Sequence, residues 1–167
     1  MPATVRLFTQ SDQVQVLPLV LSIQREEFGI PVSAEEQTDL RDVQTYYVAA
    51  GAQFWVAVDD GAIMGTIGLL NIGHGDVALR KMFVAPSYRG KPHGIAAALL
   101  AASLAWAATA GFRRVLLGTT EKFLAAHRFY EKNGFEVTPV DQLPEYFPRM
   151  RLDTRFYNRT RTPGRAQ

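Results

Sequence analysis

Three apolar runs separated by two short glycine-containing turns constrain the fold of this chain most strongly. The runs cover residues 54–58, 63–70 and 77–84, and the turns are Asp59-Asp60-Gly61 and Gly73-His74-Gly75-Asp76. Glycine adopts the left-handed backbone that such tight turns require. The sequence therefore predicts an antiparallel meander of three strands.

Strands and helices alternate on either side of this meander. The patterns predict strands at residues 4–9, 114–118, 135–138 and 152–157, and helical stretches at 12–28, 33–51, 94–110 and 120–133. The crossover through the 94–110 helix implies one parallel strand pair in an otherwise antiparallel sheet. The expected fold class is α/β (α+β), with a single domain over residues 1–160 and a flexible C-terminal tail over residues 161–167.

Composition and charge exclude several classes of protein. The 167 residues contain no cysteine, so disulfides, thiolate metal sites and a cysteine nucleophile are excluded. The net charge is only +2, which argues against a nucleic-acid partner. Residues 1–10 lack the apolar segment of a signal peptide, and the Ala-rich stretch 94–110 is typical of a buried helix, so we expect no membrane span and a cytoplasmic location.

A basic, glycine-rich loop lies between the third meander strand and the 94–110 helix. Gly90 and Gly94 allow close approach of the backbone, and Arg89, Lys91 and His93 add positive charge. The first amides of a helix lack internal acceptors and bind phosphate groups well. The loop therefore predicts an anion site, although an ordinary surface loop before a helix has the same features.

Two segments resemble a known family. Phe-Val-x-Pro-x-Tyr-Arg-Gly-Lys at 83–91 and Ala-x-x-Phe-Tyr-Glu-Lys-Asn-Gly-Phe at 126–135 are similar to the Gcn5-related N-acetyltransferases, and the resemblance covers residues 54–138. It implies a splayed sheet with acetyl-CoA as co-substrate. It also implies acetyl transfer to a primary amine by direct attack, without a metal.

The resemblance also implies roles for individual residues. Backbone groups near Met82 and Val84 would contact the pantetheine arm, amides from Arg89 to Ala96 would hold the pyrophosphate, and Tyr130 would protonate the departing thiolate. The cofactor-binding residues it implies are Met82, Phe83, Val84, Arg89, Gly90, Lys91, His93, Gly94, Ile95, Ala96, Phe123 and Tyr130.

Two positions depart from the family pattern. Pro92 and His93 form a two-residue insertion in the phosphate loop, and Phe123 stands where the family often has asparagine. Phe123, Ala126 and Tyr130 also follow helical spacing, so core packing is a second interpretation of Tyr130.

The general base is not evident from the motifs. The family often places an acid on the third meander strand, but this strand has none after Asp76. Glu26 and Glu27 end the first long helix and would face the acceptor region, so Glu27 is the candidate base, although either could be a solvated surface carboxylate. His127, one turn before Tyr130, is a minor candidate for the base, and a histidine on the helix surface is the favoured interpretation.

The acceptor is expected to be a small-molecule or peptide amine, and the sequence does not identify it. A non-catalytic acyl-CoA-binding regulatory module on the same fold is the alternative function, and a nucleic-acid-binding protein is a third. The three histidines lack paired ligand spacing, so no metal site is expected. The possibility of a homodimer stays open, since final strands in this fold often pair between subunits.

Overall fold

The computed structural model describes residues 3–90 and 92–160, which form a seven-stranded sheet with flanking helices. The strands are, in chain order, β1 Thr4–Leu7, β2 Gln53–Asp59, β3 Ala62–Gly73, β4 Asp76–Val84, β5 Arg114–Thr119, β6 Glu136–Val137 and β7 Arg155–Thr160. They lie in the order β1-β2-β3-β4-β5-β7-β6, and among the described strands only β4 and β5 pair in parallel. The predicted mixed, mostly antiparallel sheet is confirmed. The predicted tail lies outside the described residues.

Helices cover both faces of the sheet. The α-helices are α1 Gln13–Leu21, α2 Thr38–Arg41, α3 Ile95–Thr109 and α4 Leu124–Lys132, while π-helices span Ser22–Glu27 and Gln44–Val48. Successive side chains of β2 pack into different cores, since Trp55 joins the core under α3 and Phe54 the core under α1. Within the described residues, no helix combines the length and apolar character that a membrane crossing needs.

The second predicted helix is confirmed only in part, over Thr38–Arg41 and Gln44–Val48. Ser33 and Glu36 form the reciprocal hydrogen bonds of a capping box, with Ser33 N–H donating to Glu36 Oε1 at 3.1 Å and Glu36 N–H to Ser33 Oγ at 3.3 Å. They close a turn, however, and α2 begins only at Thr38. It ends at Arg41, and Asp42 leaves helical geometry with φ of −153°. The fully buried side chains of Leu40, Val43 and Tyr47 hold the helical part against the core, and residues 33–36 supply no buried side chain of this kind.

Two further boundaries differ from the predictions. Helix α4 begins at Leu124, four residues later than predicted, because residues 120–123 form a turn closed by the Phe123 N–H bond to the Thr120 carbonyl. Strand β7 begins at Arg155, three residues later than predicted. Asp153 therefore lies in the loop before β7 and not within the strand.

Both predicted hairpin turns form with left-handed backbone. Asp60 and Gly61 have φ of 50° and 79°, and His74 and Gly75 have φ of 60° and 80°. Two successive left-handed residues match the right-handed twist of the flanking strands. These turns fix the β2-β3-β4 meander.

The sheet splits between β4 and β5. These strands pair only from Asp76 opposite Arg114 to Ala78 opposite Leu116, and beyond that point they diverge. Strand β4 also contains a bulge, where Lys81 has φ of 55° and the register with β3 shifts between Thr66 and Gly68. A bulge bends its strand and increases the local twist, so this one accompanies the separation from β5.

A buried carboxylate holds the closed end of the split together. The Asp76 side chain is fully buried and accepts hydrogen bonds from the Arg114 guanidinium, at 2.8 Å, and from the Tyr146 hydroxyl. Burial alone would raise the pKa of Asp76, but the hydrogen bonds from Arg114 and Tyr146 hold it below its usual range. The strands are thus clamped at one end and open at the other.

Candidate active site

A cavity of about 520 Å³ lies where β4 and β5 separate. Its walls come from the second halves of both strands, the start of α4, the segment after α1 and the loop before β7. Beyond Ala78, β4 has no strand partner on the side that faces β5. Its backbone groups there are available to an extended polar ligand.

The structure brings most of the predicted site residues to this cavity. The predicted residues that line it are Met82, Phe83, Val84, Arg89, Ala96, Phe123 and Tyr130. The others with a described position lie outside the lining: Gly90, His93, Gly94 and Ile95 in the loop and first helical turn beside it, and Glu27 on the segment after α1. Lys91 lies outside the described residues.

The predicted phosphate loop ends in a left-handed glycine at the start of α3. Gly94 has φ of 64° and immediately precedes Ile95, the first residue of the helix. The N–H groups of His93 and Gly94 both donate to the Gly90 carbonyl, at 3.2 and 3.1 Å. The first-turn amides of a helix of this length carry the positive end of its dipole. The loop and helix start therefore have the form of an anion site.

Replacement of Gly94 by aspartate is expected to weaken CoA binding more than folding. Asparagine is the matched control, since both side chains suffer the same left-handed strain of about 1 kcal/mol. Only aspartate adds a charge that repels phosphate, so its Kd for CoA should exceed that of the asparagine variant by roughly 10- to 100-fold. Calorimetric titration and thermal unfolding of both variants measure this. Equal loss of affinity in the two variants would assign Gly94 a purely structural role.

Arg89 and Glu27 form a two-point ion pair beside the cavity. The Arg89 guanidinium donates to the two carboxylate oxygens of Glu27 at 2.5 and 2.7 Å, and its Nε donates to the Val84 carbonyl at 2.8 Å. The pair ties the end of β4 to the helical segment after α1. Both Glu27 oxygens are occupied by Arg89, and the residue does not line the cavity. Its role as the general base stays a prediction.

Tyr130 is a buried tyrosine at the cavity wall. The side chain packs against the rings of Phe129, Phe135 and Tyr157, with centroids 5.5 to 6.0 Å apart. Burial raises the pKa of its hydroxyl well above the usual range. No described residue hydrogen-bonds to this hydroxyl. The ring thus belongs to the core while the hydroxyl keeps its proton at neutral pH.

Phe123 forms an aromatic wall of the cavity with two partners. Its ring centroid lies 4.8 Å from that of Phe28 and 5.8 Å from that of Phe83, and both pairs are edge to face. His127, one turn along α4, is buried, and its Nε2 lies 3.0 Å from the Thr120 carbonyl. The prediction that His127 lies on the helix surface is therefore wrong, because the late start of α4 folds residues 120–123 back over it.

Asp153 places a carboxylate at the cavity wall. Its Oδ2 accepts a hydrogen bond from the Met150 amide at 2.9 Å. A Cβ atom on Gly118 would lie 2.5 Å from the same oxygen, so β5 accommodates the carboxylate only because this position is glycine. Burial raises the pKa of Asp153, against the opposing charges of Arg80 and Lys81.

Two buried cations line the same cavity. The side chains of Arg80 and Lys81 are only 10% and 8% exposed, and both lie near the carboxylate of Asp39. Burial lowers the pKa of the Lys81 ammonium, with Asp39 opposing the shift. These residues and Asp153 give one part of the cavity a strongly polar character, whereas the Phe123 wall is apolar.

Comparison with known proteins decides the family. Residues 17–135 match the family model described as acetyltransferase (GNAT) family. The chain belongs to this family. The GNAT resemblance of the two sequence segments and the predicted splayed sheet are thereby confirmed.

Individual GNAT structures and relatives support the assignment. A GNAT-family acetyltransferase from Staphylococcus aureus superposes with a TM-score of 0.90 at 34% identity, covering 95% of this chain and 98% of that one. The PaiA N-acetyltransferase from Thermoplasma acidophilum, solved with coenzyme A, shares the fold with a TM-score of 0.72 at 18% identity, over 96% of this chain and all of that one.

Sequence relatives include longer proteins. N-acetylaspartate synthetase from Xenopus tropicalis is 40% identical over 102 residues, which are 60% of this chain and 37% of that protein. This GNAT chain thus spans about a third of the length of the first curated relatives it matches.

Sequence reasoning missed the polar part of this GNAT cavity. Arg80, Lys81 and Asp153 line it, and Asp39 pairs with the two cations from outside the lining. Apart from the consecutive Arg80 and Lys81, these residues lie far apart in sequence, and no local motif joins them. The one available signal was the Arg80-Lys81 pair within an apolar strand. Charged residues in a central strand are rarely buried unless they are paired or functional.

Proposed function

We propose that this protein is an acetyl-CoA-dependent N-acetyltransferase that acts on a primary amine by direct attack. The observation that carries the proposal is the cavity between the diverged halves of β4 and β5, with Tyr130 among its lining residues. The family membership supports acetyl transfer in general. The acceptor is a small-molecule or peptide amine.

The residues fit a CoA-type ligand. The left-handed Gly94 and the start of α3 suit the pyrophosphate, and the free edge of β4 at Met82–Val84 suits an amide-containing arm. Val84 offers its amide alone, because its carbonyl already accepts from Arg89. Acetyl-CoA supplies the acetyl group as an activated thioester.

We propose that Asp153 and Tyr130 handle the two protons of the reaction. The amine nitrogen forms a bond to the acetyl carbon as the carbon–sulfur bond breaks. Asp153 accepts the proton that the amine loses, and the Tyr130 hydroxyl donates a proton to the departing sulfur. Of the described carboxylates that line the cavity, Glu36 is paired with Arg151 at 3.0 Å, whereas Asp153 has no salt-bridge partner.

A non-catalytic acyl-CoA-binding module is the second candidate. Phe123, in place of the asparagine common in the family, favours it, because a phenyl ring offers no hydrogen bond. The available Tyr130 hydroxyl favours catalysis. A cytoplasmic location and a homodimer stay predictions.

Acetyl-CoA is expected to raise the thermal stability of the protein. A ligand that binds only the native state adds about 2.7 kcal/mol at 100 times its Kd. For a chain of this size that corresponds to an increase in Tm of about 5–10 °C. Thermal unfolding with and without millimolar acetyl-CoA measures it, with the Gly94→Asp variant as control. An unchanged Tm in the wild-type protein contradicts both the enzymatic function and the binding-module alternative.

Release of free thiol separates the enzyme from the binding module. Acetyl-CoA is incubated with a panel of amines that includes amino acids, polyamines, aminoglycosides and peptides, and thiol is measured against a reaction without amine. L-Aspartate belongs in the panel because several relatives are named N-acetylaspartate synthetase. A stabilised protein that releases no thiol with any amine supports the regulatory alternative.

A further inference from the structure

Positive charge exceeds its direct carboxylate partners at the polar part of the cavity. Arg80 and Lys81 both line the cavity and are almost entirely buried. Their shared salt-bridge partner is Asp39, whose Oδ2 lies 3.9 Å from an Arg80 nitrogen and 3.5 Å from Lys81 Nζ. The Asp153 carboxylate also acts on Lys81 but forms no salt bridge with it, so a further anion in direct contact would stabilise the two buried cations.

The Asp39 carboxylate also accepts a hydrogen bond from a third group. The Tyr47 hydroxyl donates to Asp39 Oδ2 at 2.5 Å, the same oxygen that faces both cations. The Arg80 guanidinium is too far from Asp39 for a hydrogen bond. It lies 2.9 Å from the Met150 sulfur and over the Tyr46 ring, and a hydrogen bond with the Tyr46 side chain is among the contributions that raise its pKa. Sulfur is a weak acceptor. The planar guanidinium therefore retains donors suited to two-point binding of a carboxylate.

The bulge in β4 brings these two consecutive side chains together. In a regular strand, neighbouring residues point to opposite faces of the sheet. Lys81 has φ of 55°, an uncommon conformation for a residue with a side chain, and as a result Arg80 and Lys81 approach the same oxygen of Asp39. The strand thus departs from regular geometry at the position that concentrates charge in the cavity.

A buried amide adds independent evidence for a polar ligand. Gln37 lines the cavity, is only 4% exposed, and donates through Nε2 to Gln24 at 3.0 Å. Its Oε1 is buried without a hydrogen-bond partner among the described residues. Such an acceptor costs free energy unless a donor reaches it.

A carboxylate lies in the same polar part of the cavity as the two cations. No salt bridge joins Asp153 to Arg80 or Lys81 among the described residues, but their charges act on its pKa, so Asp153 lies near them without direct contact. This part of the cavity therefore offers both a carboxylate and cations to a ligand that carries an ammonium group and a carboxylate.

We infer that the acceptor is an amine that also carries a carboxylate, as amino acids do, and that Arg80 and Lys81 bind this carboxylate. The inference rests on the proposed function, since it assigns the acceptor class of the same cavity. In this arrangement the cations hold the carboxylate while the amino group lies toward Asp153. Arg80 and Lys81 then determine specificity and leave the proton transfers to other residues.

A comparison of amino acids with their carboxamides tests the inference in the wild-type protein. L-Aspartate, L-glutamate and glycine are compared with glycinamide and with the α-amides of the two acids, using free thiol as the readout. The amino group of an α-amide is less basic than that of the free amino acid, so more of it is unprotonated at neutral pH. The reactivity of the nucleophile alone would therefore favour the amide. We expect kcat/KM to be roughly 10- to 100-fold higher for at least one acid than for its amide. Equal or better turnover of the amides overturns the inference and leaves the proposed function intact.

Variants locate the carboxylate site. Arg80→Gln is expected to raise KM for the preferred amino acid by roughly 10- to 100-fold, with little change in KM for its amide or in the Kd for CoA. Arg151→Gln is the matched control, because it removes a cation from the same cavity that is 58% exposed and paired with Glu36. If Arg80→Gln lowers the stability of the protein, Lys81→Gln is tested as the second variant. An equal effect on acid and amide, or an equal effect of Arg151→Gln, counts against the assigned site.

Binding separates failure of the inference from failure of the proposed function. If no amine is acetylated, the amino acids are titrated calorimetrically into the protein saturated with CoA. Saturable binding that Arg80→Gln abolishes would support the carboxylate site while refuting the enzymatic function. Absence of binding by every amino acid overturns the inference.

Discussion

Replacement of Tyr130 by phenylalanine is expected to lower kcat by about 10²-fold with little change in the Kd for acetyl-CoA. The phenol donates its proton as the carbon–sulfur bond breaks, so its contribution arises mainly in the transition state. Positioned acid catalysis typically contributes about 10²–10⁴-fold, and a thiolate is already a fair leaving group, so we expect the lower end. Steady-state kinetics and calorimetric titration of the same variant measure both quantities.

Packing should change little in this variant. The ring contacts of Tyr130 with Phe135 and Tyr157 are retained, and its hydroxyl has no described hydrogen-bond partner to lose. Tyr157→Phe is the control, because it removes a neighbouring hydroxyl that donates to Glu131 at 2.6 Å. We expect that control to cost stability and to leave kcat nearly unchanged. Unchanged kcat in Tyr130→Phe would restrict Tyr130 to the core.

Replacement of Asp153 by asparagine is expected to lower kcat/KM by roughly 10²-fold or more at neutral pH. Asparagine keeps an oxygen that can accept from the Met150 amide but cannot accept the proton of the amine. Burial raises the pKa of Asp153 and so penalises its charged form in the folded state. The variant should therefore lose activity without losing stability at pH 7, which urea unfolding can verify.

The pH dependence of the rate supplies a second readout. A general base acts in its ionised form, so kcat/KM should fall as the pH drops through its pKa. Because that pKa is raised in Asp153, the acidic limb should lie above the usual aspartate range, and Asp153→Asn should remove it. Glu27→Gln tests the competing base, and Glu36→Gln is the control for a carboxylate on the same cavity. Loss of the acidic limb in Glu27→Gln alone would assign the base to Glu27.

Local sequence determined the elements that make up this protein. The two hairpins follow from Asp60-Gly61 and His74-Gly75, since each turn needs two left-handed residues. The start of α3 follows from Gly94 and the alanine-rich sequence after it. Glycine turns, helix starts and short motifs act over a few residues, so they can be recognised without knowledge of the tertiary fold.

Residue patterns predicted the structure less reliably where the packing of the folded chain decides which residues of a segment are buried. The capping residues Ser33 and Glu36 formed their hydrogen bonds but closed a turn, and the helix begins only at Thr38, near the buried Leu40. His127 looked like a surface residue on a polar helix, but the turn at Thr120 buries it. In both cases the packing of the folded segment, and not its residue pattern, decided the outcome.

The sequence by itself determined the fold class and the family, and it predicted a phosphate loop. Only the tertiary structure decided how charge is distributed at the cavity. Arg80, Lys81 and Asp153 line one space, Asp39 pairs with the two cations, and Glu27 pairs with Arg89 beside the cavity. The physical reason is the divergence of β4 from β5 beyond Ala78 and the bulge at Lys81. Electrostatic energy depends on distance and burial, and these are set by the whole sheet and not by neighbours in the chain.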